Sequence, residues 1–233
     1  MDVAKKSING KTIYAFTSRL QFLEFLDKLD GGMLIALNAE KLNKNESKLD
    51  DLINSNIGYP DGIGAVLALR RKGLKAVKIP GAEFWLDIIT RYVESKSFYF
   101  IGSTTPVIEQ TITKLKLEFP NIKINGYRNG FFEEGDETKL IGNLIASRPD
   151  IVFVAMGSPR QELLMSELME EHPALYMGLG GSFDVYVGLK KRAPKLYQKL
   201  GLEWFYRLVK EPTRISRQTS LLKFLIKIIF GKI

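Results

Sequence analysis

Runs of apolar residues alternate with amphipathic stretches along most of the chain. Several of these runs, such as "SFYFI" and "IVFVAM", contain no charged residue, which is typical of parallel strands that are covered on both faces. The pattern predicts strands at 33–37, 75–79, 97–101, 121–125, 151–156 and 174–178.

The stretches between these runs carry apolar residues at helical spacing. They predict helices at 21–29, 62–71, 82–94, 105–118, 136–147 and 160–170. Alternation of strands and helices on this scale predicts an α/β fold, with an open, mostly parallel Rossmann-like sheet and helices on both of its faces. Near the amino end, Asn9-Gly10 lies between two short β-prone runs and predicts a hairpin turn.

Positive charge is concentrated in the C-terminal part of the chain. The net charge is +8, and residues 190–233 hold twelve Lys and Arg against two Glu. The asymmetry suggests an α/β domain at 1–190 followed by a basic helical appendage at 191–233. It favours an anionic partner, which is a membrane surface, a pyrophosphate or a nucleic acid.

The end of the appendage has the composition of a helix that lies on a membrane. Leu221 to Phe230 is apolar except for Lys223 and Lys227, and it is too short to cross a bilayer. A terminal helix packed on the core is the alternative. Because the final residues are not interleaved with charge, nucleic acid is not expected as a partner. The first ten residues contain no apolar leader, so we expect a cytoplasmic protein, peripheral on the inner face of the cytoplasmic membrane.

The composition excludes several kinds of chemistry. The chain has no cysteine and a single histidine, His172, so it cannot form a disulfide, a thiolate metal site or a three-histidine zinc site. It also contains no Asp-x-Asp, the usual carboxylate pair that holds a metal on a sugar-nucleotide diphosphate. We therefore expect neither a metal nor another cofactor.

Residues that follow the predicted strands are candidate site residues, because ligands bind beyond the carboxyl ends of parallel strands. The glycine-rich "GLGGSFDV" (178–185) has the form of a phosphate-binding turn but lacks the G-x-G-x-x-G spacing of dinucleotide sites. Each candidate alone also fits an ordinary strand-to-helix turn. The candidates at this edge are Asn38, Glu40, Gly81, Gly102, Gly157, Arg160, Gln161, Glu162, Gly180, Gly181 and Asp184.

Two further groups carry candidate chemistry. Asp61 lies in the Pro-Asp-Gly turn of "GYPDGIGAV", where it either caps the next helix or acts as a general base. In the appendage, Arg207, Arg214 and Arg217 are close enough in sequence to form a cluster suited to phosphate oxygens.

Several motifs together resemble the WecG/TagA/CpsF glycosyltransferase family. The resemblance extends from about Ile8 to Gln218, and within the family the wording looks closest to the UDP-N-acetyl-D-mannosaminuronic acid transferases. The motifs are "LNAEKL" (37–42), "PDGIG" (60–64), "PGAEFW" (80–85), "VAMGSPRQE" (154–162), "YMGLGGSFDV" (176–185) and "KRAPKLYQKLGLEWFYRLVKEPTRISRQ" (191–218).

This resemblance implies an inverting glycosyltransferase that acts at the cytoplasmic membrane surface. It would move an N-acetylmannosamine-type sugar from a UDP-sugar donor to an undecaprenyl-pyrophosphate-linked GlcNAc acceptor. Alternatives are a UDP-ManNAc or UDP-glucose transferase of teichoic acid or capsule synthesis, and a non-catalytic, membrane-docked nucleotide-sugar binder.

The resemblance also implies roles for single residues. Asp61 would be the general base, Asn38 and Gln161 would line the sugar or UDP pocket, and Asp184 would lie near the nucleoside. Lys78 stands where relatives often carry an arginine that contacts diphosphate. The three arginines of the appendage match those that the family's C-terminal segment brings over the site.

Overall fold

The computed structural model describes residues 3–191, 193–194, 197, 206, 215–231 and 233, and only the backbone of 215–220. The strands are β1 (Lys5–Ile8), β2 (Lys11–Tyr14), β3 (Gly32–Leu37), β4 (Ile57–Pro60), β5 (Ser97–Gly102), β6 (Lys123–Arg128), β7 (Ile151–Ala155) and β8 (Leu175–Gly178). The helices are α1 (Arg19–Leu26), α2 (Ala39–Asn43), α3 (Ser47–Ser55), α4 (Ile63–Arg71), α5 (Gly81–Tyr92), α6 (Thr105–Glu118), α7 (Asp136–Ser147), α8 (Arg160–Glu171), α9 (Ser182–Tyr186) and α10 (Ile215–Ile229).

Six of the strands form one sheet in the order β4-β3-β8-β7-β5-β6. Every pair of neighbours in it is parallel, so the predicted α/β fold is confirmed. β1 and β2 form a separate antiparallel hairpin. Asn9 and Gly10 at its tip both have positive φ, as the predicted two-residue turn requires.

Helices cover both faces of the sheet, and each face has its own apolar core. Val152 and Val154 of β7 belong to the core that also contains residues of α2, α3, α4, α7, α8 and α10. Ile151 and Phe153 of the same strand belong to the core with residues of α1, α5, α6 and α9. Because both faces are buried there, β3, β5, β7 and β8 are apolar at successive positions.

One predicted strand is wrong. Residues 75–79 form no strand, and their backbone N–H groups make two isolated bonds instead. Val77 N–H donates to the Phe16 carbonyl (3.0 Å) and Ile79 N–H to the Pro60 carbonyl (2.8 Å). The strand at this edge of the sheet is β4, whose sequence "IGYP" contains glycine and ends in proline. Both residues are unfavourable in strands and obscured the pattern.

The helix predicted near the C-terminus is found as α10, which packs against α2 and α4. Phe224 on its inner face is fully buried. Gly64 of α4 permits this contact, because a Cβ atom there would lie 3.4 Å from both Leu221 and Phe224. Within residues 221–230, whose side chains the structure describes, the outer face of α10 and the residue just after it expose large apolar side chains, namely Leu222, Ile226, Ile229 and Phe230. One face of α10 therefore packs on the core, and the other leaves apolar surface uncovered.

Within the described residues, no helix is long and apolar enough to cross a bilayer. The predicted division of the chain at residue 190 stays a prediction.

Candidate active site

The carboxyl ends of all six parallel strands lie at one edge of the sheet. The connections that follow β5 and β7 leave in opposite directions, since β5 leads outward to β6 and β7 leads back to β8. Such a divergence opens a crevice in which ligands bind. In sheet order, the residues that follow the strands at this edge are Asp61, Asn38, Leu179, Met156, Ser103 and Asn129.

Asp61 follows β4 directly and is held in place from two sides. Its backbone N–H donates to the Leu37 carbonyl of β3 at 3.0 Å. Its carboxylate Oδ1 accepts a hydrogen bond from the Gly81 N–H, at the start of α5, at 2.8 Å. The side chain is half-buried. The carboxylate therefore has a fixed orientation at the carboxyl edge, which is what a general base needs.

A buried tyrosine lies beneath this carboxylate. Tyr59 has no exposed surface, and its hydroxyl makes no hydrogen bond with any described residue. A Cβ atom on Gly81 would lie 2.9 Å from that hydroxyl, so only glycine fits here. Burial, and after it the charges of Asp61 and Glu162, raise the pKa of the Tyr59 hydroxyl well above its ordinary value. The group therefore stays protonated and neutral.

We expect Tyr59→Phe to raise the free energy of unfolding by about 1 kcal/mol, because an unpaired buried hydroxyl costs roughly 1–3 kcal/mol. Tyr176→Phe is the matched control. Tyr176 is equally buried, but its hydroxyl donates to the His172 carbonyl at 2.7 Å, so its loss should destabilise by about 1 kcal/mol. Urea denaturation of both variants measures the two signs. Equal destabilisation by both would show that the Tyr59 hydroxyl has a partner.

Asn38 begins α2 and acts as its N-cap. Its Oδ1 accepts a hydrogen bond from the Lys41 N–H at 3.0 Å. Glu40 lies in the first turn of the same helix. Gly62, which follows Asp61, approaches closely, since a Cβ atom there would lie 3.4 Å from the Asn38 Cβ. Asn38 and Asp61 therefore lie side by side, each just after one of two neighbouring strands. The hydrogen bond that Asn38 accepts as the N-cap fixes its side-chain rotamer.

Gln161 and Glu162, in the first turn of α8, are both buried. Gln161 Oε1 accepts from the N–H groups of Gly157 (3.2 Å) and Gly180 (2.8 Å), and its Nε2 donates to Glu162 Oε1 at 3.0 Å. Glu162 Oε1 also accepts from Lys41 Nζ at 2.6 Å. The Gly180 N–H belongs to the turn that the sequence predicts to bind phosphate, but it is already hydrogen-bonded within the protein.

The charge state of Glu162 follows from these contacts. Burial alone would raise the pKa of its carboxyl group. The ammonium group of Lys41 and the hydrogen bonds from Lys41, Gln161 and Ser158 outweigh that effect, so the pKa of Glu162 lies below its ordinary value. Glu162 and Lys41 therefore form a buried ion pair at neutral pH.

A second cluster of polar side chains, Ser103, Asp184 and Lys190, lies near the carboxyl ends of β5 and β8. Asp184 of α9 accepts from the Ser103 hydroxyl at 3.3 Å, and Lys190 Nζ lies 3.6 Å from its carboxylate. Gly102 precedes Ser103 and has φ +130°, and a Cβ atom there would lie 2.3 Å from the Ala155 carbonyl oxygen. Gly102 therefore serves the close approach of β5 to β7. Gly181 is the N-cap of α9.

Arg160 begins α8 at the same edge and is exposed. Its guanidinium lies over the Phe132 ring at 5.6 Å, and Arg128 lies over the same ring at 3.9 Å. Arg128 is further held by Asp136 at 3.1 Å. Arg160 is thus an exposed cation beside the Gly157 turn, supported by an aromatic ring.

The remaining candidates are placed in part. Lys78 is half-buried in the segment between α4 and α5. Arg217 lies in α10, where only its backbone is described. Arg207 and Arg214 lie outside the described residues. The structure therefore brings the candidates of residues 38–184 to one edge of the sheet, apart from Lys78, which precedes α5. The role of each candidate stays a prediction.

Lys41 and Tyr59 are the site residues that the sequence did not indicate. Lys41 lies within "LNAEKL", one turn after Asn38, but its partner Glu162 is 121 positions away, so no local pattern connects them. Tyr59 lies in a strand that periodicity missed.

The parallel sheet, its crevice and the carboxylate at the edge are features of α/β enzymes that bind phosphorylated ligands. A comparison with protein families narrows the class: the model of the glycosyl transferase WecG/TagA/CpsF family matches residues 7–233. The chain belongs to this family and is a glycosyltransferase. The family acts in the synthesis of bacterial surface polysaccharides, with a nucleotide-sugar donor and a lipid-linked acceptor.

Proposed function

We propose that the protein transfers N-acetylmannosaminuronic acid from UDP to the 4-hydroxyl of undecaprenyl-pyrophosphate-linked GlcNAc. The single observation that carries a transferase mechanism is the position of Asp61, a carboxylate fixed by the Gly81 N–H at the ligand-binding edge. We infer the donor sugar and the acceptor from the family resemblance of the sequence motifs, above all "VAMGSPRQE" and "YMGLGGSFDV".

In the proposed reaction Asp61 takes the proton of the acceptor hydroxyl. The hydroxyl oxygen forms a bond to the anomeric carbon of the donor while the bond from that carbon to UDP breaks. Configuration at this carbon inverts, because the displacement is a single step from the opposite side. The UDP leaves with the bonding electron pair, and cationic side chains such as Arg160 and the appendage arginines stabilise its charge.

The lipid-linked acceptor places the reaction at a membrane surface, and the outer face of α10 is the surface that we propose contacts it. Leu222, Ile226, Ile229 and Phe230 are exposed there, beside the exposed Lys223. Apolar side chains flanked by lysine are typical of helices that lie in the interface of anionic membranes.

The first test is sugar transfer to a short-chain lipid-pyrophosphate-GlcNAc acceptor in detergent. UDP-ManNAcA, UDP-ManNAc and UDP-glucose are compared as donors, each with and without EDTA. We expect transfer from UDP-ManNAcA alone, at a rate that EDTA does not change. Transfer from another donor only would reassign the donor and keep the base. Loss of transfer with EDTA would reject the metal-free mechanism.

A further inference from the structure

A chain of buried contacts joins three turns at the carboxyl edge. It begins at Lys41 on α2, passes through Glu162 and Gln161 on α8, and ends at the N–H groups of Gly157 and Gly180. These glycines belong to the turns after β7 and β8, which are neighbours in the sheet. One amide side chain thus connects two turns that each lead into a helix at the site.

The chemistry of its partners fixes the orientation of the Gln161 amide. Backbone N–H groups only donate, so Oε1 must face Gly157 and Gly180. The ionised carboxylate of Glu162 only accepts, so Nε2 must face Glu162. Gly178 provides the space, since a Cβ atom there would lie 2.3 Å from Nε2. The orientation of the Gln161 amide, and with it the bonds to Gly157 and Gly180, therefore depends on Glu162.

Lys41 keeps that charge in place. Glu162 has no exposed surface, and the side chain of Lys41 is 12% exposed. The hydrogen bonds that Glu162 accepts from Lys41 and from Gln161 are made at the same oxygen, Oε1. A buried carboxylate that loses its cation is strongly destabilised, so Glu162 would shift toward water. Gln161 Nε2 would then lose its acceptor, and the amide would turn away from the two glycines.

We propose that Lys41 and Glu162 are positioning residues of the transferase, which act through Gln161 to hold the Gly157 and Gly180 turns at the spacing that the UDP part of the donor requires. This inference rests on the proposed function, because it takes UDP as the ligand of these turns. Because Glu162 is fully buried and only 12% of the Lys41 side chain is exposed, we assign them a positioning role and not a contact with substrate.

The experiment compares Lys41→Met with the double variant Lys41→Met/Glu162→Gln. We expect Lys41→Met to weaken UDP binding, measured by calorimetry, about tenfold or more. The double variant should recover affinity to within about threefold of wild type, because a neutral glutamine at 162 can stay buried without a cation and still presents an oxygen to Gln161 Nε2. Lys44→Met, which changes an exposed lysine just after α2, is the control and should bind UDP normally. A double variant that binds no better than Lys41→Met would overturn the proposal.

A second measurement does not depend on UDP or on transfer. In ¹⁵N-glycine-labelled protein, the amide hydrogens of Gly157 and Gly180 should exchange about tenfold faster in Lys41→Met than in wild type. Gly32 is bonded to the Ala174 carbonyl at 3.0 Å, away from this network, and should be unchanged. Equal exchange in a folded Lys41→Met protein would reject the positioning role. If the wild type fails to transfer sugar while these amides respond, the donor assignment is wrong and the positioning role stands.

Lys41→Arg guards against a variant that fails to fold, because it keeps the cation. It should retain slow exchange at both glycines. Fast exchange in a folded Lys41→Arg protein would count against the ion pair as the cause.

Discussion

Asp61→Asn is expected to lower the turnover of sugar transfer at least about 10²-fold while the Kd for UDP stays within about twofold of wild type. A general base contributes roughly 10²–10⁴-fold in rate, and an asparagine cannot accept the proton of the acceptor hydroxyl. The asparagine oxygen can still accept the Gly81 N–H that Oδ1 accepts now, so the turn and the fold are kept. Turnover and UDP affinity must be measured on the same preparation.

The matched control for this variant is Asp27→Asn. Asp27 follows α1, away from the carboxyl ends of the strands, and pairs with Arg91 at 2.7 Å. This variant therefore tests the loss of a carboxylate outside the site. Its turnover should equal that of wild type. A turnover of Asp61→Asn within about threefold of wild type would remove Asp61 from the role of base. A parallel loss of UDP affinity would give it a binding role instead.

Replacing three exposed residues on the outer face of α10, by Leu222→Ser, Ile226→Ser and Phe230→Ser together, is expected to weaken binding to anionic vesicles about a hundredfold. These side chains are 59%, 49% and 71% exposed. At about 1 kcal/mol lost for each partly inserted side chain, the sum is about 3 kcal/mol, and each 1.4 kcal/mol is tenfold. Sedimentation with vesicles that contain anionic lipid measures the effect.

The chain supplies a control with the same chemistry. Leu20→Ser, Leu117→Ser and Ile145→Ser remove three exposed apolar side chains from α1, α6 and α7, where they are 58%, 77% and 45% exposed. This triple variant should bind vesicles normally. A similar loss in both triple variants would show that general surface hydrophobicity, and not α10, carries the binding. Transfer to a water-soluble acceptor should persist in the α10 variant.

The sheet could be predicted because most of its strands are buried on both faces. Runs such as "SFYFI" and "IVFVAM" are apolar at every position, and helices such as α6 and α7 keep their periodicity over three turns or more. β4 could not be predicted, because it has only four residues, including Gly58 and Pro60. The segment at 75–79 has a strand-like composition, but it forms only isolated backbone bonds to Phe16 and Pro60, which its own sequence does not reveal.

The residues of the candidate site could be predicted from the sequence, but several of the contacts between them could not. Asp61, Asn38 and Gln161 could be identified because they lie next to strand ends, within the motifs that carry the family resemblance. The use of Gln161 could not, since its partners Gly157 and Gly180 become neighbours only when β7 and β8 pair. The pairing of Lys41 with Glu162 likewise depends on the approach of α2 to α8, which no local pattern encodes.

The position of β8 in the sheet has a consequence for the order of synthesis. β8 is the last of the six strands in the chain, yet it lies between β3 and β7 and joins the pair β4-β3 to the trio β7-β5-β6. Until residue 178 has left the ribosome, the nascent chain can form only two separate half-sheets. The facing sides of β3 and β7 are then unpaired edges, the kind of edge on which strands of other chains add. The six-stranded sheet becomes continuous only after β8 has emerged, so these two edges stay unpaired through most of synthesis.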